Sequence, residues 1–269
     1  EIMPSLVGSE MCIRDSFAIL RAKDVNTFYI NAQMKGISCS QNSLKALVDS
    51  DYAKPFNPFT HYFFSLPTWN GKTDYIAQLA QRVKTTDPDF FIDSLRHWLV
   101  GMVACAIDDK VQNQQLLLLH GGQGSGKSTF IRKLLPPELD TYYRCGMIIP
   151  ENKDHLLQLS SSLIIDLDEF DTLPSWQMQS LKRLIVQGVV TERKVFDLQM
   201  NNFIRRASFI ASTNDQHFLV DILENRRYLI NTILSIDNSG PVNHQGIYAQ
   251  ALALYLSLIH ISEPTRLGM

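Results

Sequence analysis

Nine consecutive residues of the chain contain the pattern Gly-x-x-x-x-Gly-Lys-Ser, which is typical of a loop that binds polyphosphate. Glycines let backbone N–H groups turn inward around phosphate oxygens, and a helix that begins at the loop adds partial positive charge. In this pattern Lys127 contacts the β- and γ-phosphates of a nucleoside triphosphate, and Ser128 binds Mg²⁺. The predicted nucleotide-binding residues are Gly121, Gly122, Gln123, Gly124, Ser125, Gly126, Lys127, Ser128 and Thr129.

The segments on both sides of the loop are those that a phosphate-binding loop requires. Four leucines at residues 116–119 predict a buried strand that leads into the loop, and residues 129–135 predict the helix that follows it. The alternative is a chance glycine-rich turn. The agreement between the motif and its context favours a nucleotide site.

A second apolar segment, residues 163–165, is followed by acidic residues. It predicts a strand whose carboxyl end lies beside the phosphates, where carboxylates can bind Mg²⁺ and position an attacking water. We assign Asp168 to Mg²⁺, with Asp166 as the competing metal ligand, and Glu169 to the water. A solvated strand end without a chemical role is the alternative.

Two further polar segments lie beyond the acidic strand. Asn214 lies at the end of a predicted strand, where its side-chain amide can hydrogen-bond the γ-phosphate or the attacking water. The alternative is an ordinary turn, since Thr-Asn-Asp is also a common turn sequence. Arg226 or Arg227 can neutralise transition-state charge if it is inserted from a neighbouring subunit. The alternative is a surface arginine pair bound to Glu224 or Asp221.

Basic residues alternate with aromatic residues in a predicted hairpin between the acidic strand and Asn214. Such a hairpin can bind phosphates through its cations and stack bases on its rings. A solvated hairpin with a half-buried aromatic face explains the pattern equally well. The candidate nucleic-acid contacts are Arg193, Lys194, Arg205 and Arg206.

The alternation of strand, loop and helix after residue 116 predicts an α/β fold, with a parallel sheet of about five strands flanked by helices. Apolar residues at three- and four-residue steps before residue 110 predict a small, mostly helical module in front of it. Further strands are predicted at residues 145–149, 163–165, 207–211 and 227–230, and further helices at residues 74–83, 89–107, 153–159 and 175–187.

Both ends of the chain look like translated sequencing adapter. Residues 11–16 and 256–261 resemble the two strands of one transposon end that is used to fragment DNA. The expected domains are an adapter-derived segment at 1–16, a helical N-terminal module at 17–110, a P-loop ATPase core at 111–235, a truncated C-terminal segment at 236–255 and an adapter-derived segment at 256–269.

Charge and cysteine content narrow the class of protein. The net charge is −2, so nucleic acid can be bound only by a local basic patch. Cys39, Cys105 and Cys145 show no Cys-x-x-Cys spacing, which indicates a reducing compartment. Because the longest apolar stretch, residues 99–107, is too short to span a bilayer, we expect a cytoplasmic protein without a membrane partner.

The order of these features resembles the virulence-associated E family, which are P-loop ATPases related to superfamily 3 helicases and found in phage and mobile-element primase-helicases. The resemblance covers about residues 56–230. The family's two acids, separated by two residues, correspond to Asp166 and Glu169. The segments that carry the resemblance are Asn57-Pro58-Phe59, Trp69-Asn70-Gly71-Lys72, the glycine-rich loop, Asp166-Leu167-Asp168-Glu169-Phe170, Leu181-Lys182, Ser212-Thr213-Asn214 and Asn225-Arg226-Arg227-Tyr228.

The resemblance implies that the protein hydrolyses ATP with the help of Mg²⁺. Hydrolysis would drive movement along, or unwinding of, single-stranded or forked DNA during replication of a phage or mobile element. It also implies a homo-oligomeric ring, which would explain an arginine that acts in trans. The second hypothesis is a P-loop regulator or switch that binds ATP without motor activity on DNA. The expected catalytic residues are Lys127, Glu169, Asn214, Arg226 and Arg227.

Overall fold

The computed structural model of the protein describes most of the chain, in two compact units that divide between Pro58 and Phe59. The described residues are 22–48, 50, 52, 56–146, 148–149, 152–167, 170, 175–192, 201–214 and 227–262.

The described part of the first unit contains two helices, α1 (Ala22–Met34) and α2 (Gln41–Val48). The Ser40 hydroxyl accepts a hydrogen bond from the Ser43 backbone N–H at 3.0 Å, which caps the start of α2. The Gln41 amide donates to the Asn26 side chain at 2.6 Å and so connects the two helices.

The second unit alternates helices and strands from α3 (Pro58–Ser65) onward. Its first half contains α4 (Tyr75–Ala80), β1 (Val83–Thr85), α5 (Pro88–Ile107), β2 (Leu116–His120), α6 (Lys127–Leu134), a 3₁₀ helix (Pro137–Tyr142) and β3 (Tyr143–Cys145). Its second half contains α7 (Lys153–Ser161), β4 (Ile164–Leu167), α8 (Ser175–Val186), β5 (Val189–Glu192), β6 (Asn201–Ile204), β7 (Ser208–Thr213), β8 (Tyr228–Ile236) and α9 (His244–Ser262).

Six strands form one sheet in the order β1-β8-β2-β7-β4-β3. All neighbouring pairs are parallel except β1 and β8, which are antiparallel. The predicted mostly parallel sheet flanked by helices is therefore confirmed. The prediction of about five strands missed β1, because a three-residue strand is too short to show alternation.

Helices cover both faces of this sheet, since alternate residues of the central strand β2 enter different cores. On one face Leu117 and Leu119 pack with residues of α5, α6 and α9. On the other face Leu116 and Leu118 pack with residues of α7 and α8. All five residues of β2 are buried, as expected for a strand covered on both sides.

The longest core helix, α5, begins with a clear capping signal. The Asp87 carboxylate accepts from the Phe90 N–H at 3.0 Å, and Pro88 occupies the first helical turn. Among the described helices, α5 is long and apolar enough to cross a membrane by length and composition, although its segment of residues 99–107 alone is too short. Because 56% of its most apolar stretch is buried inside the fold, it is weak evidence for a membrane span.

Several predicted boundaries differ from those observed. The strand predicted at residues 145–149 is β3, which begins earlier, at Tyr143, and β8 extends beyond the predicted 227–230. The chain divides into two compact units at residue 58. Phe63 of α3 and Leu95 of α5 share one hydrophobic core with the sheet residue Leu117. The expected domain boundaries stay a prediction.

The adapter origin of both chain ends stays a prediction. Residues 1–16 and 263–269 lie outside the described part of the chain. Helix α9 continues through residues 256–262, but a helical conformation does not test where those residues come from.

A buried hydrogen bond attaches α5 to the sheet, and its loss should be measurable. The Trp98 indole N–H donates to the Phe209 carbonyl oxygen at 2.7 Å, and the side chain is fully buried. We expect Trp98→Phe to lower the free energy of unfolding by about 1–3 kcal/mol in urea titrations. The matched control is Trp69→Phe, which removes the hydrogen bond from a half-buried indole N–H to the Thr73 carbonyl oxygen. Equal losses in the two variants would contradict this role of Trp98.

Candidate functional site

The glycine-rich loop connects the carboxyl end of β2 to the first turn of α6, as the sequence predicted. Gly126 is the residue that precedes α6, and its φ of +91° lies in the left-handed region that favours glycine. The first N–H groups of a helix have no acceptor within the helix. The start of α6 is therefore suited to binding an anion.

The Lys127 side chain is folded back over this loop and is 7% exposed. Its ammonium group donates to the carbonyl oxygens of Gly121 at 2.6 Å and Gly122 at 3.0 Å, and to the Ser125 hydroxyl at 3.2 Å. A fourth hydrogen bond joins it to the Asn214 side-chain oxygen at 2.8 Å. The sequence therefore identified two residues, Lys127 and Asn214, that the fold brings into direct contact.

The sheet register explains why Asn214 reaches the loop. Strand β7 lies beside β2 in parallel, with Thr213 opposite His120, so Asn214 and Gly121 both leave the sheet at the same edge. The Gly121 N–H also donates to the Thr213 carbonyl oxygen at 3.1 Å. The two segments are thus fixed to each other by backbone as well as side-chain bonds.

An open cavity of about 400 Å³ lies at this edge of the sheet. It is formed by the loop, by the start of α6 and by the carboxyl end of β7. Most of the predicted nucleotide-binding residues line it. Its lining residues are Gln123, Gly124, Ser125, Gly126, Lys127, Ser128, Thr129, Ser212, Thr213 and Asn214.

The carboxyl end of β8 supports the loop from behind, which the sequence did not reveal. A Cβ atom on Gly121 would lie 2.3 Å from the Ile233 carbonyl oxygen, so the two backbones are in contact. The Asn238 amide donates to the Gly126 carbonyl oxygen at 3.0 Å. The sequence around Asn238 is that of an ordinary polar turn and does not predict this contact. Asn238 reaches Gly126 only because β8 extends far enough toward the loop.

The acidic strand is β4, and Asp166 lies inside it rather than at its end. Asp166 is 4% exposed and pairs in register with Ile210, which in turn pairs with Leu117. Leu117 precedes Gly121 by four residues, or about 13 Å along the strand. This depth argues against Asp166 as the ligand of a metal ion at the phosphates.

Asp166 has a structural partner instead. The Tyr143 hydroxyl donates to its carboxylate at 2.7 Å. Burial, together with this carboxylate, raises the pKa of the Tyr143 phenol, so the phenol stays protonated and remains a donor. The Arg132 guanidinium stacks on the Tyr143 ring at 4.4 Å and connects α6 to this pair.

Asp168 and Glu169 lie outside the described residues and stay predictions. They follow Leu167, where the chain leaves β4 at the same edge of the sheet as β2 and β7. Ser128 is exposed and lines the cavity. The described residues contain no group of three or more His, Cys, Asp or Glu side chains that could hold a metal ion, and Asp168 and Glu169 are not among the described residues.

The structure locates one arginine of the predicted pair, since Arg226 lies outside the described residues. The Arg227 carbonyl oxygen accepts from the Leu116 N–H at 2.8 Å, at the amino end of β2. The five residues of β2 separate this end from the loop by about 16 Å. Arg227 therefore lies at the opposite edge of the sheet from its own loop, and a role at a phosphate site requires a neighbouring copy.

The predicted hairpin is present as the antiparallel pair β5 and β6, which forms a separate two-stranded sheet. Phe203 is half-buried against the core, which agrees with the alternative of a half-buried aromatic face. Arg193 and Lys194 lie outside the described residues and stay predictions. The Arg206 side chain is 15% exposed and forms an ion pair with Asp109.

Arg205 does not agree with its predicted contact to nucleic acid, because it is fully buried. Its guanidinium donates to the Asn113 carbonyl oxygen at 2.8 Å and lies 5.5 Å from the centre of the Phe209 ring. Burial lowers the pKa of this guanidinium. Its backbone carbonyl oxygen accepts from the Cys105 thiol at 3.5 Å. Arg205 thus anchors the base of the hairpin to the core.

The fold and the site define an α/β protein with a glycine-rich loop at the carboxyl edge of a mostly parallel sheet. Residues 64–266 match the virulence-associated protein E-like domain. The match covers well over half of the chain, so the protein belongs to this family. A comparison with curated proteins found no match.

Solved structures of low sequence identity align with part of the chain. The A form apo structure of the NrS-1 C-terminal region (305–718) is 13% identical, with a TM-score of 0.47, and the alignment covers 70% of this chain and 45% of that one. A second A form apo structure of the same region is 15% identical, with a TM-score of 0.46 and coverage of 76% and 48%. The chain thus spans about half the length of these structures.

Two loop glycines provide a matched test of the loop geometry. Gly126 has a positive φ, and a Cβ atom there would lie 2.6 Å from the Asn238 amide nitrogen, whereas Gly122 would meet nothing within 4 Å. We expect Gly126→Ala to lower the free energy of unfolding by about 1–3 kcal/mol because of backbone strain. Urea unfolding of both variants measures this. The geometry is contradicted if Gly122→Ala loses as much stability as Gly126→Ala.

Proposed function

We propose that the protein binds ATP at the loop of residues 121–129 and hydrolyses it, and that hydrolysis drives movement along or unwinding of DNA during replication of a phage or mobile element. The observation that carries the proposal is the contact between Lys127 and Asn214 at the cavity. It joins a phosphate-binding loop to the tip of a neighbouring strand, where a polar side chain can detect the terminal phosphate.

The Lys127 contacts support a phosphate site. The four acceptors around its ammonium group are carbonyl, hydroxyl and amide oxygens, which a polyphosphate can replace with charged oxygens. Such an exchange would release the Asn214 amide to bind the γ-phosphate or the attacking water. The first turn of α6 adds backbone N–H groups and the positive end of the helix dipole.

The hydrolytic step assigns roles to three more side chains. Ser128 fits a Mg²⁺ ligand because its hydroxyl is exposed at the cavity, and we propose Asp168 as the second protein ligand. Bound Mg²⁺ supplies charge neutralisation on the phosphate oxygens. Glu169 orients the water and accepts its proton. Asp166 is not part of this proposal, because it is buried beside Tyr143.

A homo-oligomeric ring is part of the proposal because of the position of Arg227. An arginine at the opposite edge of the sheet cannot act on its own loop, but in a ring it can reach the loop of the next copy. Arg226 or Arg227 would then neutralise charge that develops in the transition state.

Coupling to DNA is supported by the position of β7 between the hairpin and the loop. The hairpin strand β6 ends at Ile204, and Arg205 to Ala207 lead directly into β7, which ends beside Asn214. A displacement of the hairpin by DNA can therefore reach Asn214 through a single buried strand. Arg193 and Lys194 are the proposed contacts to the DNA backbone.

Two variants of the site should separate binding from hydrolysis. Lys127→Ala is expected to lower kcat/KM for ATP at least about 100-fold, because a cation that stabilises the transferred phosphoryl group is lost. Glu169→Gln should bind ATP with unchanged affinity and hydrolyse it slowly. Phosphate release and calorimetric titration measure these quantities, and Lys153→Ala, at an exposed lysine on α7, is the control. Normal turnover in Glu169→Gln would exclude Glu169 as the group that activates the water.

DNA should stimulate the ATPase, and the stimulation should depend on the hairpin. We expect single-stranded DNA to raise the wild-type rate several-fold, and Arg193→Ala with Lys194→Ala to lose most of this gain. The charge-matched control is Lys72→Ala with Lys153→Ala, since both lysines are exposed elsewhere. The measurement is steady-state phosphate release with and without an oligonucleotide. A wild-type rate that does not respond to DNA would contradict the motor and favour the nucleotide-dependent switch.

A further inference from the structure

The chain that follows β8 contacts α6 at two points through a single residue, Asn238. Before the first turn of the helix, the Asn238 side-chain amide donates to the Gly126 carbonyl oxygen at 3.0 Å. From the last turn, the Lys133 ammonium group donates to the Asn238 backbone carbonyl oxygen. Gly126 and Lys133 are seven residues apart, or about 10 Å along a helix. Asn238 thus connects the end of the glycine-rich loop to the far end of the helix that follows it.

The segment that carries Asn238 is fixed on both sides. The Asp237 N–H donates to the Arg82 carbonyl oxygen at 2.8 Å. The Asp237 carboxylate accepts from the Ser239 N–H at 2.9 Å and from its hydroxyl at 2.6 Å. The Arg82 guanidinium also donates to the Gly240 carbonyl oxygen at 3.1 Å. These bonds hold the backbone around Asn238 in place, so its amide is positioned before a ligand binds.

The bond from Asn238 decides which way the peptide between Gly126 and Lys127 faces. The Gly126 carbonyl oxygen also accepts from the Phe130 N–H at 3.0 Å, within α6. In a trans peptide the C=O and N–H groups point in opposite directions. With the carbonyl held toward the helix, the Lys127 N–H points out of the helix start, toward the cavity that Lys127 lines. Glycine adopts more backbone conformations than other residues, so a second hydrogen bond is needed to select this one.

From this arrangement we infer that Asn238 is a positioning residue for the phosphate site: its amide holds the Gly126–Lys127 peptide with the N–H directed at the bound phosphate. Asn238 does not line the cavity, so it acts through the loop and not on the ligand. Because the loop contacts phosphate, the effect should be the same for any polyphosphate, with or without a nucleoside. This inference rests on the function proposed above and adds a residue from outside the glycine-rich motif.

Calorimetric titration with ATP and with inorganic tripolyphosphate tests the inference. Asn238→Leu keeps the branched, uncharged shape of the side chain and removes the donor, and Asn238→Ala removes the amide altogether. We expect both variants to bind both ligands about tenfold more weakly than wild-type protein. Asn238 is half-buried near the surface, so we expect both variants to fold.

The matched control is Asn152→Ala. The Asn152 side-chain oxygen accepts from the Asp154 N–H at 2.9 Å at the start of α7, and the residue does not line the cavity. The control therefore also loses a hydrogen bond between an asparagine side chain and the backbone. We expect it to lose stability in urea titrations and to keep wild-type affinity for both ligands.

Steady-state phosphate release separates positioning of the loop from a general loss of stability. Asn238 orients the same peptide before and during the reaction, so the ground state and the transition state lose the same contact in the variants. We expect Asn238→Leu to raise KM for ATP about tenfold and to change kcat less than about twofold. A lower kcat with an unchanged KM would contradict the inference.

The failure of the inference can be distinguished from the failure of the proposed function. Wild-type affinity in the Asn238 variants, or an equal loss of affinity in Asn152→Ala, overturns the inference and leaves the phosphate site intact. Weaker binding of ATP alone also overturns it, because Asn238 would then act on the nucleoside. If wild-type protein binds ATP without hydrolysing it, the proposed hydrolysis fails and the two affinities still decide the role of Asn238. If it binds neither ligand, both fail.

Discussion

The hydrogen bond between Lys127 and Asn214 depends on more of the fold than any other contact at the site. It requires β2 and β7 to lie side by side, in parallel and in register, so that both segments leave the sheet at one edge. It also requires β8 to hold the loop from behind, through Ile233 and Asn238. The cores on both faces of the sheet serve this requirement, because they fix the three strands relative to one another.

The opposite edge of the sheet carries a second group of functional candidates. Arg227 lies at the amino end of β8, and the base of the β5–β6 hairpin lies at the amino end of β7. The central strands therefore connect the phosphate edge to the edge where a neighbouring copy and DNA are proposed to act. The buried guanidinium of Arg205 donates to the Asn113 carbonyl oxygen and so attaches the base of the hairpin to the core.

The sequence predicted those parts of the site that depend on local pattern. The glycine spacing, the four leucines and the polar end of β7 identified the loop, its strand and Asn214, because each is a short contiguous signal. The predictions from sequence failed for residues whose role depends on whether the side chain is buried. Asp166 and Arg205 have the residue types of a metal ligand and a DNA contact, but their neighbours in space, Tyr143 and Asn113, come from distant parts of the chain. No contiguous pattern could have revealed Asn238 or the strand β1.

In the proposed function, Lys127 exchanges its loop contacts for the phosphates of ATP. A crystal structure of the protein with Mg²⁺ and a non-hydrolysable ATP analogue shows whether this exchange occurs. We expect the analogue's phosphates to occupy the cavity between the loop and β7. We also expect the Lys127 ammonium to bind phosphate oxygens in place of the Gly121 and Gly122 carbonyl oxygens. An analogue bound elsewhere, or a Lys127 that keeps both carbonyl contacts with the analogue present, would exclude the proposed phosphate site.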